Sequence, residues 1–178
     1  NIEDNWIQTA KLTASDGDIN DYFGYGVAIE DDAIAISAPY DDNEQAGGAG
    51  GIYLFHKING VWLETQKLMA NEISSAAHLG MSMSFEGSRI IANAPDEFPN
   101  AVYVFEKSDG KWNQTARIID PEPGSGEFGY RLASSDSRLF ASKPFTQNGI
   151  IYTYIQEATG DWILETILQS DEISEDLG

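Results

Sequence analysis

The chain has 178 residues, of which 42% are hydrophobic and 22% charged, so its composition is that of a globular protein able to bury a core. Its 29 acidic and 10 basic residues give a formal net charge of −19. Such a surface repels nucleic-acid phosphates and anionic membranes, so neither is expected as a partner. Cysteine is absent, which excludes disulfides and thiolate metal sites.

The sequence has no apolar run approaching the roughly 20 residues that span a bilayer, so membrane insertion is not expected. It begins Asn1-Ile2 without a methionine and shows no signal peptide. We therefore expect a processed protein or a part of a longer one.

Four landmarks recur along the chain in a fixed order with a period of about 50 residues. The first is a tryptophan phrase starting at Trp6, Trp62, Trp112 and Trp162. The second is an aromatic residue or leucine before glycine, at Phe23-Gly24, Leu79-Gly80, Phe128-Gly129 and Leu177-Gly178. The third is a proline preceded by a small or basic residue, at Pro39, Pro95 and Pro144. The fourth is an aromatic-rich stretch, at 52–55, 102–105 and 151–154.

Each repeat supplies four short strands. In the first repeat they are 25–30, 33–37, 52–57 and 61–68, and Asn59-Gly60 suits a tight hairpin between the last two. Four antiparallel strands joined by hairpins form a sheet that twists like a propeller blade. The expected fold is all-β, with about three propeller-type blades and almost no helix. The expected division is 1–21 (outer strand of a preceding blade plus loop), 22–69, 70–119 and 120–169 (blades 1 to 3), and 170–178 (start of a next repeat).

The landmarks have structural interpretations. Gly24, Gly80 and Gly129 are expected to open the innermost strands, where neighbouring sheets crowd together. The residue before each glycine is expected to fill the space between blades. Each proline is expected to end a strand, because proline cannot donate to the ladder. The tryptophans are expected on the outer strands.

Three phrases of the first repeat carry a resemblance to a known family. They are 21–29 (Asp-Tyr-Phe-Gly-Tyr-Gly-Val-Ala-Ile), 34–39 (Ile-Ala-Ile-Ser-Ala-Pro) and 51–55 (Gly-Ile-Tyr-Leu-Phe). Together they resemble the FG-GAP repeat of integrin α headpieces and of tandem arrays in bacterial and protist surface proteins. The resemblance implies a propeller, an extracellular or cell-surface location, and a role in adhesion or recognition.

Propellers typically close with 4–8 blades, and this chain supplies about three. Two explanations remain open. Either further repeats of a longer chain complete the ring, or copies of this chain associate.

The family carries calcium in an acidic loop, and calcium takes 6–8 oxygen ligands. The best candidate here is the loop formed by Asp16, Asp18, Asn20 and Asp21. It lacks the glycine at its sixth place, and the alternative interpretation is a polar turn bonded to its own backbone. A second acidic loop, 40–44, lies nearer the place where the family binds cations, and there a solvated loop is the alternative.

The expected function is non-catalytic recognition or adhesion, assisted by calcium, with a protein or carbohydrate ligand. Two alternatives stay open: a structural unit of a longer surface protein, and a lectin-like propeller. For the latter, several aromatic residues lie in or near loops and can stack on sugars: Tyr22, Tyr25, Tyr40, Phe98, Tyr130 and Phe145. Their alternative role is packing between blades. An enzyme is not expected, since His56 and His78 fall at different landmarks and no nucleophile elbow occurs.

Overall fold

The structure is a computed structural model that describes residues 6–42, 46–124 and 127–169. Within these ranges the chain forms β-strands and no helix, so the prediction of an all-β fold is confirmed. The strands are β1 (Val27–Glu30), β2 (Ala33–Ala38), β3 (Gly51–Ile58), β4 (Val61–Leu68), β5 (Met83–Glu86), β6 (Arg89–Ala94), β7 (Ala101–Ser108), β8 (Lys111–Ile119), β9 (Leu132–Ser135), β10 (Arg138–Lys143), β11 (Ile150–Gln156) and β12 (Trp162–Gln169). No helix long and apolar enough to cross a membrane occurs in the described ranges.

The strands form three antiparallel sheets of four consecutive strands each, β1–β4, β5–β8 and β9–β12, which are called blades 1, 2 and 3 below. Each sheet is a meander in which every strand pairs with the next one along the chain. The predicted turn at Asn59-Gly60 joins β3 to β4, with φ angles of 51° and 82°. A two-residue hairpin with a type I′ turn requires two successive residues with positive φ angles.

Consecutive blades pack face to face, as propeller blades do. The leading face of a blade is turned to the next blade along the chain, and the trailing face to the previous one. In blade 1 the leading face presents Ala35, Ile52 and Leu54, which pack against Tyr103 and Phe105 of the trailing face of blade 2. These five side chains are at most 1% exposed. The interface between blades 1 and 2 is therefore a dry core.

Blades 2 and 3 repeat this arrangement. Val102 and Val104 of the leading face of blade 2 pack against Leu139 and Tyr152 of the trailing face of blade 3. Phe128 joins the same cluster and is fully buried. Leu79 holds the corresponding place between blades 1 and 2. Leu79 and Phe128 thus fill the space between blades, as predicted.

Of the remaining landmarks, the prolines and three of the four tryptophans lie where they were predicted, and Trp6 does not lie on a strand. The prolines follow directly on β2, β6 and β10. Trp62, Trp112 and Trp162 lie on the fourth strand of their blades. A Cβ added at Gly80 would lie 2.7 Å from the Cβ of Ser37, so this glycine allows close contact with the preceding blade.

The segment before β1 lies against the trailing face of blade 1, where Leu12, Ala14 and Phe23 contact a cluster that contains Tyr53 and Phe55. Residues 6–14 form no strand, and Trp6 is fully exposed. The outer strand expected here needs a preceding blade for its hydrogen bonds, so that strand stays a prediction. The start of a next repeat, at 170–178, lies outside the described residues.

Candidate functional site

The two acidic loops that the sequence singled out converge in space. Asp18, Asn20 and Asp21 line a shallow depression together with Tyr40 and Asp42. Asp21 is 8% exposed, and its Oδ2 accepts a hydrogen bond from the backbone N–H of Asp18 at 2.5 Å. The fold thus gathers carboxylate and amide oxygens from residues on both sides of β1 and β2. Residues 43 and 44 of the second loop lie outside the described residues.

Asp16 is engaged differently from the other three candidates. Its Oδ2 lies 2.8 Å from Lys67 Nζ, and its Oδ1 lies 2.7 Å from the Tyr53 hydroxyl. Asp41, which is 3% exposed, approaches the same two groups at 2.8 and 2.6 Å. The ammonium of Lys67 therefore bridges two carboxyl groups beside the depression.

The electrostatics of this cluster follow from its contacts. The hydrogen bond from Lys67 lowers the pKa of Asp16, and the Tyr53 hydroxyl lowers it further. Burial lowers the pKa of Lys67, but its hydrogen bonds to Asp16 and Asp41 outweigh burial and raise it above the ordinary value. Burial, and then the hydrogen bond with Asp41, raise the pKa of Tyr53 far above its usual range. At neutral pH Asp16 is therefore ionised, Lys67 is charged and the Tyr53 phenol is neutral.

The donor set fits calcium only in part. Oxygens of Asp18, Asn20, Asp21 and Asp42 border one depression, and oxygen donors are what calcium prefers. Asp16 is occupied by Lys67, so an ion bound there would have to displace an ammonium. Among the residues that the structure describes, no group of three or more Asp, Glu or His side chains is arranged to hold a metal ion. Calcium binding by Asp16, Asp18, Asn20 and Asp21 stays a prediction.

A row of aromatic rings borders the depression. The ring centroids of Tyr22 and Tyr40 are 4.8 Å apart, and those of Tyr40 and His78 are 4.3 Å apart. His78 Nδ1 lies 2.6 Å from Asp96 Oδ2. Tyr22 is 58% exposed and Tyr40 38%, so this row is a surface that spans blades 1 and 2. His78 was not predicted to belong to it, although it directly precedes Leu79-Gly80 just as Tyr22 precedes Phe23-Gly24.

Comparison with known families identifies this part of the chain. Residues 6–55 match the family model described as FG-GAP repeat. This segment, less than a third of the chain, is similar to an FG-GAP repeat. The matched residues include the loop at 16–21, the tyrosines of the aromatic row and strands β1 and β2. No curated protein matches the chain.

Blade 2 repeats the cluster that Asp41, Tyr53 and Lys67 form in blade 1, with a different acid and a different cation. The Tyr103 hydroxyl lies 2.6 Å from Glu97 Oε2, and Arg117 Nη2 donates to Glu97 Oε1 at 2.8 Å. Arg117 Nε also donates to the Tyr103 oxygen at 3.1 Å. Tyr103 follows Tyr53 by the repeat period, Arg117 takes the place of Lys67, and Glu97 takes that of Asp41. A tyrosine, an acid and a cation therefore recur on the trailing faces of blades 1 and 2.

Blade 3 departs from this pattern. Ile167 pairs with Tyr152 where Lys67 pairs with Tyr53, and the buried Tyr152 hydroxyl has no hydrogen-bond partner among the described residues. Lys143 instead donates to Asp120 at 2.8 Å, and their side chains are 2% and 0% exposed. The corresponding positions are alanines in the earlier repeats: Ala38 with Ala14, and Ala94 with Ala70. The replacement of both alanines, by Lys143 and Asp120, is the sequence feature that could have predicted this ion pair.

A polar cleft of about 560 Å³ lies between the outer strands of blades 1 and 2. Its lining includes the amides of Gln66, Asn71, Asn113 and Gln114. Gln66 bonds both backbone groups of Trp112, donating to its carbonyl at 2.8 Å and accepting from its N–H at 3.1 Å. Gln66 thus ties β4 to β8 across the cleft.

Proposed function

We propose that this chain is a non-catalytic recognition module that binds protein or carbohydrate ligands outside the cell through the loop end of its FG-GAP repeat, with the help of calcium. The single observation that carries the proposal is the convergence of the two acidic loops and the aromatic row at one exposed place. None of these described side chains belongs to the three buried hydrophobic clusters.

The family supports the general part of this proposal. FG-GAP repeats are generally non-catalytic and are typically found in extracellular proteins. The two histidines also act in local contacts. His56 Nδ1 lies 2.8 Å from the Thr65 hydroxyl, and His78 pairs with Asp96.

The chemistry of the depression indicates the ligand class. Exposed tyrosine rings can stack on the apolar faces of sugars, and neighbouring carboxylates and amides accept hydrogen bonds from sugar hydroxyls. The formal charge of −19 disfavours anionic ligands. Neutral oligosaccharides and basic protein surfaces are therefore the ligands to test first.

The test combines calcium titration with ligand binding. We expect isothermal titration calorimetry to detect calcium binding that Asp18→Asn weakens at least tenfold and that Asp109→Asn, in an exposed hairpin turn, leaves unchanged. On a panel of neutral oligosaccharides and basic proteins, Tyr40→Ala should abolish binding, whereas Tyr130→Ala in blade 3 should not. Equal behaviour of Tyr40→Ala and Tyr130→Ala would contradict the proposed location, and binding unaffected by a chelator would contradict the role of calcium.

A second candidate function is structural, as a unit that joins further blades. It is favoured by apolar side chains exposed on the trailing face of blade 1 and the leading face of blade 3, such as Val27, Ile29, Ile163 and Leu168.

A further inference from the structure

No residue that the structure describes covers the leading face of blade 3. Ile151 and Leu168 are 41% and 50% exposed, and they pair with each other across β11 and β12. The same pair in blade 1, Ile52 and Leu68, is 0% and 3% exposed because blade 2 covers it. Blade 3 therefore presents a face of the kind that blades 1 and 2 bury.

The trailing face of blade 1 is left exposed by the described residues at its inner strand, β1. Val27 and Ile29 are 65% and 64% exposed, whereas Met83 and Phe85, at the same positions of blade 2, pack into the core between blades. Gly24 shows the same difference, because a Cβ added there would meet no atom within 4 Å. At Gly129 an added Cβ would lie 2.8 Å from Val102 of the preceding blade.

We propose that a second copy of this chain covers both faces, with the leading face of blade 3 in one copy packed on the trailing face of blade 1 in the other. In this contact β12, with Leu168, takes the place that Leu12 and its segment hold on blade 1 in the single chain, so residues 6–14 have to move aside. This inference rests on the second candidate function above, a unit that joins further blades, and it identifies the partner as another copy of the same chain. The contact joins two different faces, so it is heterologous and repeats until a ring closes. Two copies of a three-sheet chain supply six blades, which lies within the 4–8 of closed propellers, and three copies would exceed it.

The packing of blades 2 and 3 provides the template for this contact. Arg89, on β6 of blade 2, lies over the Trp162 ring of blade 3 at 5.0 Å from its centroid. Arg89 also hydrogen-bonds Gln156 and the carbonyl of Asp136, both in blade 3.

Arg138 stands at the position of Arg89 in the next repeat. It is half exposed, and its side chain pairs with Glu165 of its own blade at 3.0 Å. Trp62 of blade 1 stands at the position of Trp162 and is partly exposed. The template therefore places Arg138 of one copy over Trp62 of the other.

The inner strands give a second matched pair. The Ser84 hydroxyl in blade 2 lies 3.0 Å from the Ser134 hydroxyl in blade 3. In the proposed contact between copies, the residue equivalent to Ser84 is Ala133 of one copy, and the residue equivalent to Ser134 is Ile29 of the other. A head-to-tail contact brings these two residues together, whereas a contact between two identical faces does not.

The first test is mass. Light scattering on the eluted 178-residue chain should give twice its 19.5 kDa. Ile163→Glu should weaken association by about 100-fold or more, because it buries a charge in an apolar contact. Ile167→Glu is the matched control, since it lies on the same strand, is 47% against 43% exposed and points to the opposite face. A monomeric wild type, or equal effects of the two variants, would overturn the proposal.

The second test is orientation, for which the cysteine-free chain is well suited. A mixture of Ala133→Cys and Ile29→Cys chains should form a disulfide-linked dimer under mild oxidation, and neither variant alone should do so efficiently. The double variant Ser84→Cys/Ser134→Cys, which should close a bond within one chain, is the positive control for reactivity. Cross-linking of Ala133→Cys with itself would mean a face-to-face dimer and overturn the head-to-tail arrangement.

A third measurement tests whether residues 170–178, and not a second copy, cover the leading face of blade 3. If deletion of residues 170–178 converted a monomer into a dimer, this segment would be the occupant of the face and the second copy would not. Calcium and ligand binding by the Ile163→Glu variant report on the loop end alone. Loss of calcium and ligand binding in a folded monomer would show that recognition needs the closed ring. Retained binding would show that the recognition proposal and the dimer proposal are independent of each other.

Discussion

At the scale of single residues, the clearest departure from the repeat is the buried pair of Lys143 and Asp120. Both side chains are almost fully buried, with Nζ–O distances of 2.8 and 3.1 Å. Lys143 also donates to the Glu122 carbonyl at 2.5 Å, and Asp120 accepts from the Glu122 N–H at 3.0 Å. The pair is thus well satisfied, but its charges had to leave water, so a large net gain in stability is not expected.

Removing one partner should cost far more than removing both. We expect Lys143→Ala to lower the free energy of unfolding by about 3–5 kcal/mol, since it leaves the Asp120 carboxylate buried without a cation. Adding Asp120→Ala should restore about half of that loss or more, because blades 1 and 2 already pack two alanines at these positions. Chemical denaturation of the three chains measures this, and a double variant less stable than Lys143→Ala would refute it.

At the scale of elements, glycines determine how closely the blades approach each other. Gly24 and Gly80 have φ angles of 95° and 96°, so both would be strained by a side chain. Only Gly80 faces a neighbouring blade, where Ser37 lies within 2.7 Å of an added Cβ. Comparing substitutions at these two glycines therefore distinguishes backbone strain from steric crowding between blades.

The comparison of Gly80→Ala with Gly24→Ala measures that crowding. Both variants pay the cost of a positive φ, and we expect Gly80→Ala to lose about 1–3 kcal/mol more because it overpacks the contact with blade 1. Thermal or urea unfolding should be read under conditions in which the chain is monomeric. Equal losses would indicate that Ser37 moves away without cost.

The strands and blade contacts could be predicted from the sequence because each depends on a local signal that recurs. Asn59-Gly60, Pro39 and Trp62 each mark the end of a strand or its position in the sheet, and their counterparts lie at equivalent places in the later blades. The candidate site could be predicted only in part. Its members come from loops that are distant in sequence. The ion pair of Asp16 with Lys67, which sets Asp16 apart from the other three candidate residues, followed only from the pairing of β3 with β4.

The same limit applies to His78 and Gln66. His78 joins the aromatic row through the packing of blade 2 on blade 1, and Gln66 bonds the backbone of Trp112 across those same blades. These two contacts between blades, unlike the apolar ones made by Leu79 and Phe128, depend on the angle at which the sheets meet, which no single repeat encodes.

At the scale of the whole molecule, the high negative charge opposes association. Two copies that each carry a formal charge of −19 repel each other, and the proposed contact is mainly apolar. Added salt screens this repulsion, with a Debye length of about 10 Å at 0.1 M and about 3 Å at 1 M.

We therefore expect the dimer to be tighter in about 0.5 M sodium chloride than in about 0.02 M, by about tenfold in dissociation constant. Sedimentation equilibrium at the two concentrations measures the change. Weaker association at high salt would mean that ion pairs such as one involving Arg138, and not apolar packing, dominate the contact.

The Lys143–Asp120 pair also bears on how the chain finds its own arrangement among similar repeats. Repeats that look alike can exchange partners during folding. If the segment at 118–124 docked on blade 2 in place of the segment at 68–74, Asp120 would lie against Ala94, a buried carboxylate with no cation. If the segment at 68–74 docked on blade 3, Lys143 would lie against Ala70 and be equally unpaired. Each misassembly would cost several kcal/mol, so the buried charges of blade 3 select the correct neighbour even where they add little to the stability of the final fold.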